Sequence, residues 1–213
     1  GLCPGDDMTT FTLSDEVRRT LGEEFVSLYS NLKLAEVTEF EHNLRAIAKI
    51  GGIEISGDAG NGFAKMNMIT TDLKKAVKGV DVIIIGGSAH AHEPFSKILA
   101  NHFEDGQFIL FTSNFGALRF KKWMQEIGVT TRVTPVETMS LLCATRASKP
   151  GEVSCFGIKN QLPAAALPAR RTNEFINIIK PVFPQFIAAE MMIRLYLQIH
   201  NASFNQQSII RRI

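Results

Sequence analysis

The chain has 213 residues, of which 45% are apolar and 21% charged, a balance that excludes a disordered or low-complexity protein. Its 23 basic and 21 acidic residues leave a net charge of +2, which is too small to indicate a nucleic-acid partner. The most apolar run, at residues 82–91, is interrupted by glycine, serine and histidine and falls short of the roughly 18–20 residues that a membrane span needs. We therefore predict a protein that binds neither nucleic acid nor a membrane.

The first ten residues contain no basic stretch followed by an apolar stretch, so no signal peptide is predicted. The three cysteines, Cys3, Cys143 and Cys155, show no C-x-x-C spacing. This pattern favours thiols of a reducing compartment over a disulfide or a metal site. We expect the protein in the cytoplasm.

Strand and helix patterns alternate through the first third of the chain. Apolar residues at three- and four-residue steps indicate helices, and short apolar runs bounded by glycine indicate strands. Thr71 is predicted to cap a helix that ends near Gly79. The elements predicted here are strands at residues 24–29, 53–56 and 63–69 and helices at residues 34–50 and 72–78.

Two later strands, at residues 81–86 and 107–112, are apolar on both faces, which is typical of the centre of a parallel sheet covered by helices. The other predicted elements are helices at residues 94–103, 117–127 and 173–180 and strands at 132–136, 151–156 and 158–166. This alternation predicts an α/β fold with a mainly parallel sheet. We predict one α/β domain over residues 1–185 and the incomplete start of a helical second domain over residues 186–213.

Ligands of open parallel sheets bind beyond the carboxyl ends of the strands, so the residues that follow each strand are candidates for a site. Glycines or hydrogen-bonding side chains follow three successive strands: Gly86, Gly87 and Ser88, then Ser113, Asn114 and Gly116, then Glu137 and Thr138. A tight turn with solvated histidines is the alternative for the first of these segments. His90 and His92 do not complete a metal site, because no Cys or Asp neighbour adds further ligands.

A dinucleotide-binding fold carries G-x-G-x-x-G between its first strand and first helix. Counting back from the strand at residues 24–29 places this loop at residues 5–10, where only Gly5 remains. Asp6 and Asp7 would repel a pyrophosphate there. After the same strand, the place of the usual ribose-binding acid is taken by Ser30 and Asn31. The choice between NAD and NADP is therefore left open.

Several segments together resemble the opine (octopine/nopaline) dehydrogenase family, in order, from residue 24 to residue 189. They are T-T-D-L at 70–73, A-V-K-G-V-D-V-I at 76–83, A-H-A-H-E at 89–93, D-G-Q at 105–107, S-N-F-G-A-L at 113–118, E-T at 137–138 with Arg146, P-G-E-V at 150–153 and A-A-L-P-A at 165–169. The resemblance implies a Rossmann-like, doubly wound domain that binds NAD or NADP, followed by a helical substrate domain. It also implies reductive condensation of an amino acid with a 2-oxo acid such as pyruvate.

The resemblance assigns cofactor contacts to Gly86, Gly87, Ser88, His92 and Asn114, and places Asn114 and Thr138 on the substrate side. The catalytic histidine of the family corresponds to Asn205, which cannot exchange a proton near neutral pH, so no catalytic residue is assigned. Two alternatives stay open: a ketopantoate- or hydroxyacid-type reductase, and a non-catalytic nucleotide-binding or interaction module. The expected partners are small molecules, and a homodimer is left open.

Overall fold

The computed structural model describes residues 33–36, 38, 41–86, 89–112 and 115–190. The strands in this part of the chain are β1 (Lys33–Ala35), β2 (Gly52–Gly57), β3 (Gly62–Lys65), β4 (Met68–Thr70), β5 (Val82–Ile85), β6 (Phe108–Phe111), β7 (Thr134–Thr138), β8 (Cys143–Lys149), β9 (Glu152–Ile158), β10 (Leu162–Ala166) and β11 (Phe186–Ala188). The helices are α1 (Glu41–Ile50), α2 (Leu73–Val77), α3 (Ala89–Leu99), α4 (Gly116–Glu126) and α5 (Thr172–Ile179), with short 3-10 turns at Ala100–His102 and Ala169–Arg171.

The main sheet has the strand order β11-β10-β7-β6-β5. Strands β5, β6 and β7 are parallel to one another, and β10 runs antiparallel to β7. All four side chains of β6 are buried: Ile109 and Phe111 pack with α3 and α4, while Phe108 and Leu110 pack with α5. Each such side chain contributes roughly 1.5–3 kcal/mol of hydrophobic stabilisation. The α/β fold and the two-faced strand predicted at residues 107–112 are confirmed.

The central place in the sheet predicted for strand β5 stays a prediction. Among the described strands it pairs only with β6, and Ile84 keeps 41% of its surface exposed. A second parallel pair, β1 with β4, forms a separate two-stranded sheet. The Nζ of Lys33 donates to the carbonyl oxygens of Lys75 and Lys78, which ties β1 to the end of α2.

The predicted helix over residues 34–50 is wrong at its beginning. Lys33–Ala35 is a strand, in which Leu34 pairs with Ile69 and is buried, and the helix begins only at Glu41. The apolar spacing from Leu34 onward imitates a helical face, whereas pairing with a strand more than thirty residues away determines the local structure. The strand predicted at residues 24–29 lies outside the described residues.

A second sheet, of order β3-β2-β9-β8, was not predicted as a unit. Two antiparallel hairpins, β2 with β3 and β8 with β9, are joined by parallel pairing of β2 with β9. The single strand predicted at residues 63–69 is divided between two sheets, because β3 ends at Lys65 and β4 begins at Met68. Side chains of α1 and β2, together with Leu34 of β1, form a hydrophobic core of their own.

Two predicted helix starts also require correction. The cap of α2 is Asp72, whose carboxylate accepts the Lys75 N–H at 3.1 Å, and Thr70 in turn accepts the Asp72 N–H. Helix α3 begins at Ala89 instead of residue 94, so Pro94 lies inside it. Pro94 is the sixth residue of α3, beyond the first turn, so the helix lacks the hydrogen bond that an N–H there would donate to the carbonyl oxygen of His90.

The main sheet includes β11, which follows the predicted domain boundary at residue 185 and pairs in parallel with β10. Residues 191–213 lie outside the described part of the chain, so the division into two domains stays a prediction. In the part that the structure describes, we find no helix of sufficient length and apolarity to cross a membrane.

Candidate functional site

The carboxyl ends of β5, β6 and β7 meet at one edge of the main sheet, because the three strands are parallel. Gly86 follows β5, the turn that begins at Thr112 follows β6, and β7 ends with Thr138. The structure therefore brings together the three strand ends that the sequence predicted. Four of the predicted residues at this edge lie outside the described residues: Gly87, Ser88, Ser113 and Asn114.

Glu137, predicted only as one of the hydrogen-bonding residues at this edge, is a fully buried carboxylate. Its Oε1 accepts the N–H of Phe115 at 2.6 Å, and its Oε2 accepts the N–H of Ala117 at 2.9 Å. Both donors belong to the beginning of α4, where the positive end of the helix dipole favours a negative charge. Glu137 therefore caps α4 from a different element.

Thr138 is also fully buried, which places its hydroxyl inside the protein. Its Oγ1 lies 2.8 Å from the carbonyl oxygen of Ser140 and 3.4 Å from that of Phe111. The hydroxyl thereby connects the end of β7 to the end of β6. The substrate contact predicted for Thr138 stays a prediction.

His92 is buried in the first half of α3, with 1% of its surface exposed. Its ring centroid lies 5.1 Å from that of Phe111, and neither ring nitrogen has a hydrogen-bond partner among the described residues. Burial, with a smaller contribution from the positive charge of Arg119, lowers the pKa of His92 from 6.5 to about 4. The ring is therefore neutral at physiological pH.

Gly116, the first residue of α4, lies directly against this ring. A Cβ at Gly116 would stand 2.5 Å from the Phe111 ring and 2.8 Å from Nδ1 of His92, so no larger residue fits without movement. Phe115, just before it, has a φ of +64°, which a side chain other than glycine adopts at a cost. The beginning of α4 is thus packed on one side and hydrogen-bonded on the other.

Glu36 is a candidate that sequence counting missed. It follows the parallel strand β1, and its N–H donates to the carbonyl oxygen of Thr70 at 3.3 Å. In dinucleotide-binding sheets an acid at the end of the second strand binds the ribose hydroxyls, so Glu36 is an alternative to Ser30 and Asn31 for this place. Strand β1 has three residues and a single buried side chain, Leu34, so periodicity could not reveal it. The only sequence signal is the position of an acid directly after K-L-A.

The remaining predicted site residues, Gly5, Ser30, Asn31 and Asn205, lie outside the described part of the chain, and their roles stay predictions. Among the described residues, no group of three or more His, Cys, Asp or Glu side chains is arranged to hold a metal ion.

Comparison with known proteins gives one curated relative at significant similarity, whereas no protein-family model matches. Opine dehydrogenase of Arthrobacter sp. (strain 1C) is 32% identical over 186 residues, which cover 85% of this chain and 52% of that enzyme. The chain thus spans about half the length of the curated relative that it matches. The resemblance predicted from the motifs is confirmed.

Solved structures agree on the fold. Octopine dehydrogenase in complex with NADH and L-arginine gives a TM-score of 0.64 at 17% identity and covers 82% of this chain and 47% of its own. A PanE/ApbA family ketopantoate reductase from Ralstonia eutropha JMP134 gives 0.57 at 13% identity, covering 78% and 52%. These similarities confirm the Rossmann-like fold class.

Proposed function

We propose that this chain, which is related in sequence to opine dehydrogenase over most of its length, is the cofactor-binding part of an enzyme of that type. The reaction is the NAD(P)H-dependent condensation of an amino acid with a 2-oxo acid such as pyruvate and reduction of the resulting imine. The observation that carries the proposal is the 32% identity to a curated opine dehydrogenase across 85% of the chain. The higher TM-scores of octopine dehydrogenase, 0.64 against 0.57, favour it over a ketopantoate-type reductase.

The arrangement of the described strands fits a dinucleotide. In a sheet of order 3-2-1-4-5-6, strands 3 and 2 correspond to β4 and β1, and strands 4, 5 and 6 correspond to β5, β6 and β7. Strands β1 and β5 each have one edge without a described neighbour, where this order places strand 1. Gly86 at the end of β5 permits close approach of a ligand to the backbone.

The nicotinamide, when bound, supplies the hydride for imine reduction. Gly86, Gly87, Ser88 and Asn114 would contact its ring from two neighbouring strand ends, and Thr138 would lie on the substrate side. His92 is neutral and buried, so it does not exchange a proton near pH 7 and instead packs behind this surface. Asn205, at the position of the family's histidine, cannot act as an acid or base near pH 7 either, because its amide does not titrate there.

Glu36 supports a preference for NADH over NADPH. A carboxylate at the end of β1 accepts hydrogen bonds from ribose hydroxyls and repels a 2′-phosphate. We expect NADH to bind at least about tenfold more tightly than NADPH, and Glu36→Ser to remove most of this difference. Equal preference in the unaltered chain would contradict the assignment of Glu36.

Titration of the chain with NADH tests the cofactor role. We expect a dissociation constant for NADH above ~1 μM, because the carboxylates of Asp6 and Asp7, in the predicted phosphate-binding loop, would repel the pyrophosphate. Gly86→Val should abolish this binding, since side-chain bulk blocks the end of β5. The matched control is Gly62→Val, because nothing lies within 4 Å of a Cβ at Gly62. No binding of NADH at ~1 mM would contradict the cofactor role and favour a non-catalytic interaction module.

Turnover distinguishes the reactions. With an amino acid, pyruvate and NADH, we expect no oxidation above background, because a general acid–base group contributes ~10²–10⁴-fold and Asn205 supplies none. Oxidation that requires both substrates would show that another residue transfers the proton. Oxidation with the 2-oxo acid alone would favour the hydroxyacid- or ketopantoate-type reductase.

A further inference from the structure

Phe115 and Gly116, called here the β6–α4 turn, lie at the beginning of α4 and are held by side chains from two other elements. The carboxylate of Glu137 in β7 accepts the N–H of Phe115, and the His92 ring of α3 lies where a side chain at Gly116 would stand. This turn lies at the carboxyl edge of the sheet, where the proposed function places the nicotinamide.

The cap of α4 comes from outside the helix. Phe115 is the residue at the N-cap position, and its side chain makes no capping hydrogen bond. Glu137, 22 residues further along the chain, supplies one carboxylate oxygen to Phe115 N–H and the other to Ala117 N–H. A carboxylate is required for this, because a glutamine amide presents only one acceptor and would direct its NH₂ group at an N–H.

The other side of the turn is closed by packing. The Phe111 and His92 rings occupy the space in which a side chain at Gly116 would lie. The hydroxyl of Thr138 also donates to the carbonyl oxygen of Phe111 at 3.4 Å, which helps to hold the Phe111 ring at the end of β6. The left-handed conformation of Phe115 lies next to these contacts, which help to hold it in place.

We propose that Glu137 is a positioning residue of the cofactor site: its buried carboxylate holds the beginning of α4 at the carboxyl edge of the sheet. This inference rests on the proposed function, in which that edge binds nicotinamide. Glu137 acts through the backbone N–H groups of Phe115 and Ala117. Because its charge already neutralises the positive end of α4, the turn suits an uncharged ring with a carboxamide better than a phosphate.

The test compares Glu137→Gln and Glu137→Asp with Glu126→Gln in the 213-residue chain. Glu126 lies at the opposite end of α4, half-exposed and paired with lysines, so Glu126→Gln also removes one carboxylate next to this helix but leaves its beginning unchanged. Amide hydrogen exchange is measured at Phe115 and Ala117. We expect exchange at both amides to rise about tenfold in Glu137→Gln and to remain unchanged in Glu126→Gln. Glu137→Asp should recover part of the protection.

Binding of two ligands separates positioning from general stability. NADH contains the nicotinamide, whereas ADP-ribose lacks it. In Glu137→Gln we expect the dissociation constant of NADH to rise about tenfold and that of ADP-ribose to stay within about twofold. A parallel loss for both ligands, or unchanged NADH binding with lost amide protection, would overturn the positioning role.

Failure of the proposed function has a different signature. If the unaltered chain binds neither ligand, the cofactor role fails, and the exchange measurement alone decides whether Glu137 holds the turn. Unchanged protection of Phe115 and Ala117 in Glu137→Gln would then overturn the inference as well.

Discussion

The two edges of the parallel strands β5–β7 use buried polar groups in different ways. At the amino edge, Gln107 donates to the carbonyl oxygens of Val77 and Val80 and accepts the N–H of Glu104. Arg171 lies over the Phe108 ring at 4.3 Å and bonds to Thr134, Gly106 and Glu174. Gln107 and Arg171 thus join elements that are distant in sequence, and their hydrogen bonds hold this edge together.

At the carboxyl edge the buried polar groups lie around the β6–α4 turn. Glu137 accepts hydrogen bonds from the beginning of α4, and Thr138 donates toward the end of β6. The buried His92 has no hydrogen-bond partner among the described residues. Gly116 and the left-handed Phe115 lie at this edge, whereas the amino edge has side chains that bond to several elements. The difference indicates that the amino edge stabilises the fold and the carboxyl edge preserves the shape of a site. Substitutions at the two edges should therefore affect different measurements.

The largest loss of stability is expected for Gln107→Leu at the amino edge. Leucine leaves two carbonyl oxygens and one N–H without their partner, which costs about 3 kcal/mol of unfolding free energy. Urea denaturation measures this loss, and NADH affinity should stay within about twofold. The exposed Gln125→Leu serves as the control. Lost NADH binding with unchanged stability in Gln107→Leu would break the comparison.

The next effect is a pH dependence at the carboxyl edge. Because the folded-state pKa of His92 is about 4 and its ordinary value 6.5, the unfolded chain takes up the proton first. Stability is therefore complete above pH 6.5 and falls as pH decreases toward 4, by roughly 2–3 kcal/mol. We expect His92→Leu to remove this part of the slope.

Denaturation of both proteins at several pH values isolates the contribution of His92, since the carboxylates titrate in both. At pH 7, His92→Leu should be within about 1 kcal/mol of the unaltered chain, because the imidazole makes no hydrogen bond that leucine could lose. An identical slope in the two proteins would show that His92 is solvated or paired.

A smaller loss of stability is expected for Gly116→Ala. The new Cβ displaces the Phe111 and His92 rings, at a cost of about 1–2 kcal/mol. NADH binding should decrease more than ADP-ribose binding, since the β6–α4 turn moves. Gly157→Ala is the matched control, because nothing lies within 4 Å of a Cβ there. Unchanged NADH binding in Gly116→Ala would show that the β6–α4 turn does not contribute to the cofactor site.

Strands whose side chains are all buried could be predicted from the sequence, and short strands defined by distant pairing could not. F-I-L-F in β6 is apolar throughout, so its place between two helical layers follows from composition. Strand β1 contributes one buried side chain, Leu34, and exists because it pairs with β4. The same limit hid the joining of β2 and β9 into one sheet, which brings together residues about a hundred positions apart.

The candidate site divides in the same way. The strand ends at Gly86, the β6–α4 turn and Thr138 follow from the rule that parallel sheets bind ligands at their carboxyl edge. The function of Glu137 depends on a cap that crosses 20 to 22 residues, and no local pattern indicates it. His92 was predicted to contact the cofactor, and only packing against Phe111 reveals how deeply its ring is buried.

The smallest effect is expected for Arg132→Ala at the amino edge. Arg132 and Asp105 form an exposed ion pair, and the pKa of Asp105 is lowered first by the backbone N–H of Arg132 and then by its side chain. Alanine keeps the backbone bond of 2.8 Å and removes only the solvated guanidinium. We expect no measurable change in the urea midpoint, and a small decrease for Asp105→Ala, which removes both bonds. If Arg132→Ala lost as much unfolding free energy as Gln107→Leu, exposed ion pairs would stabilise this edge as much as the buried hydrogen bonds between elements do.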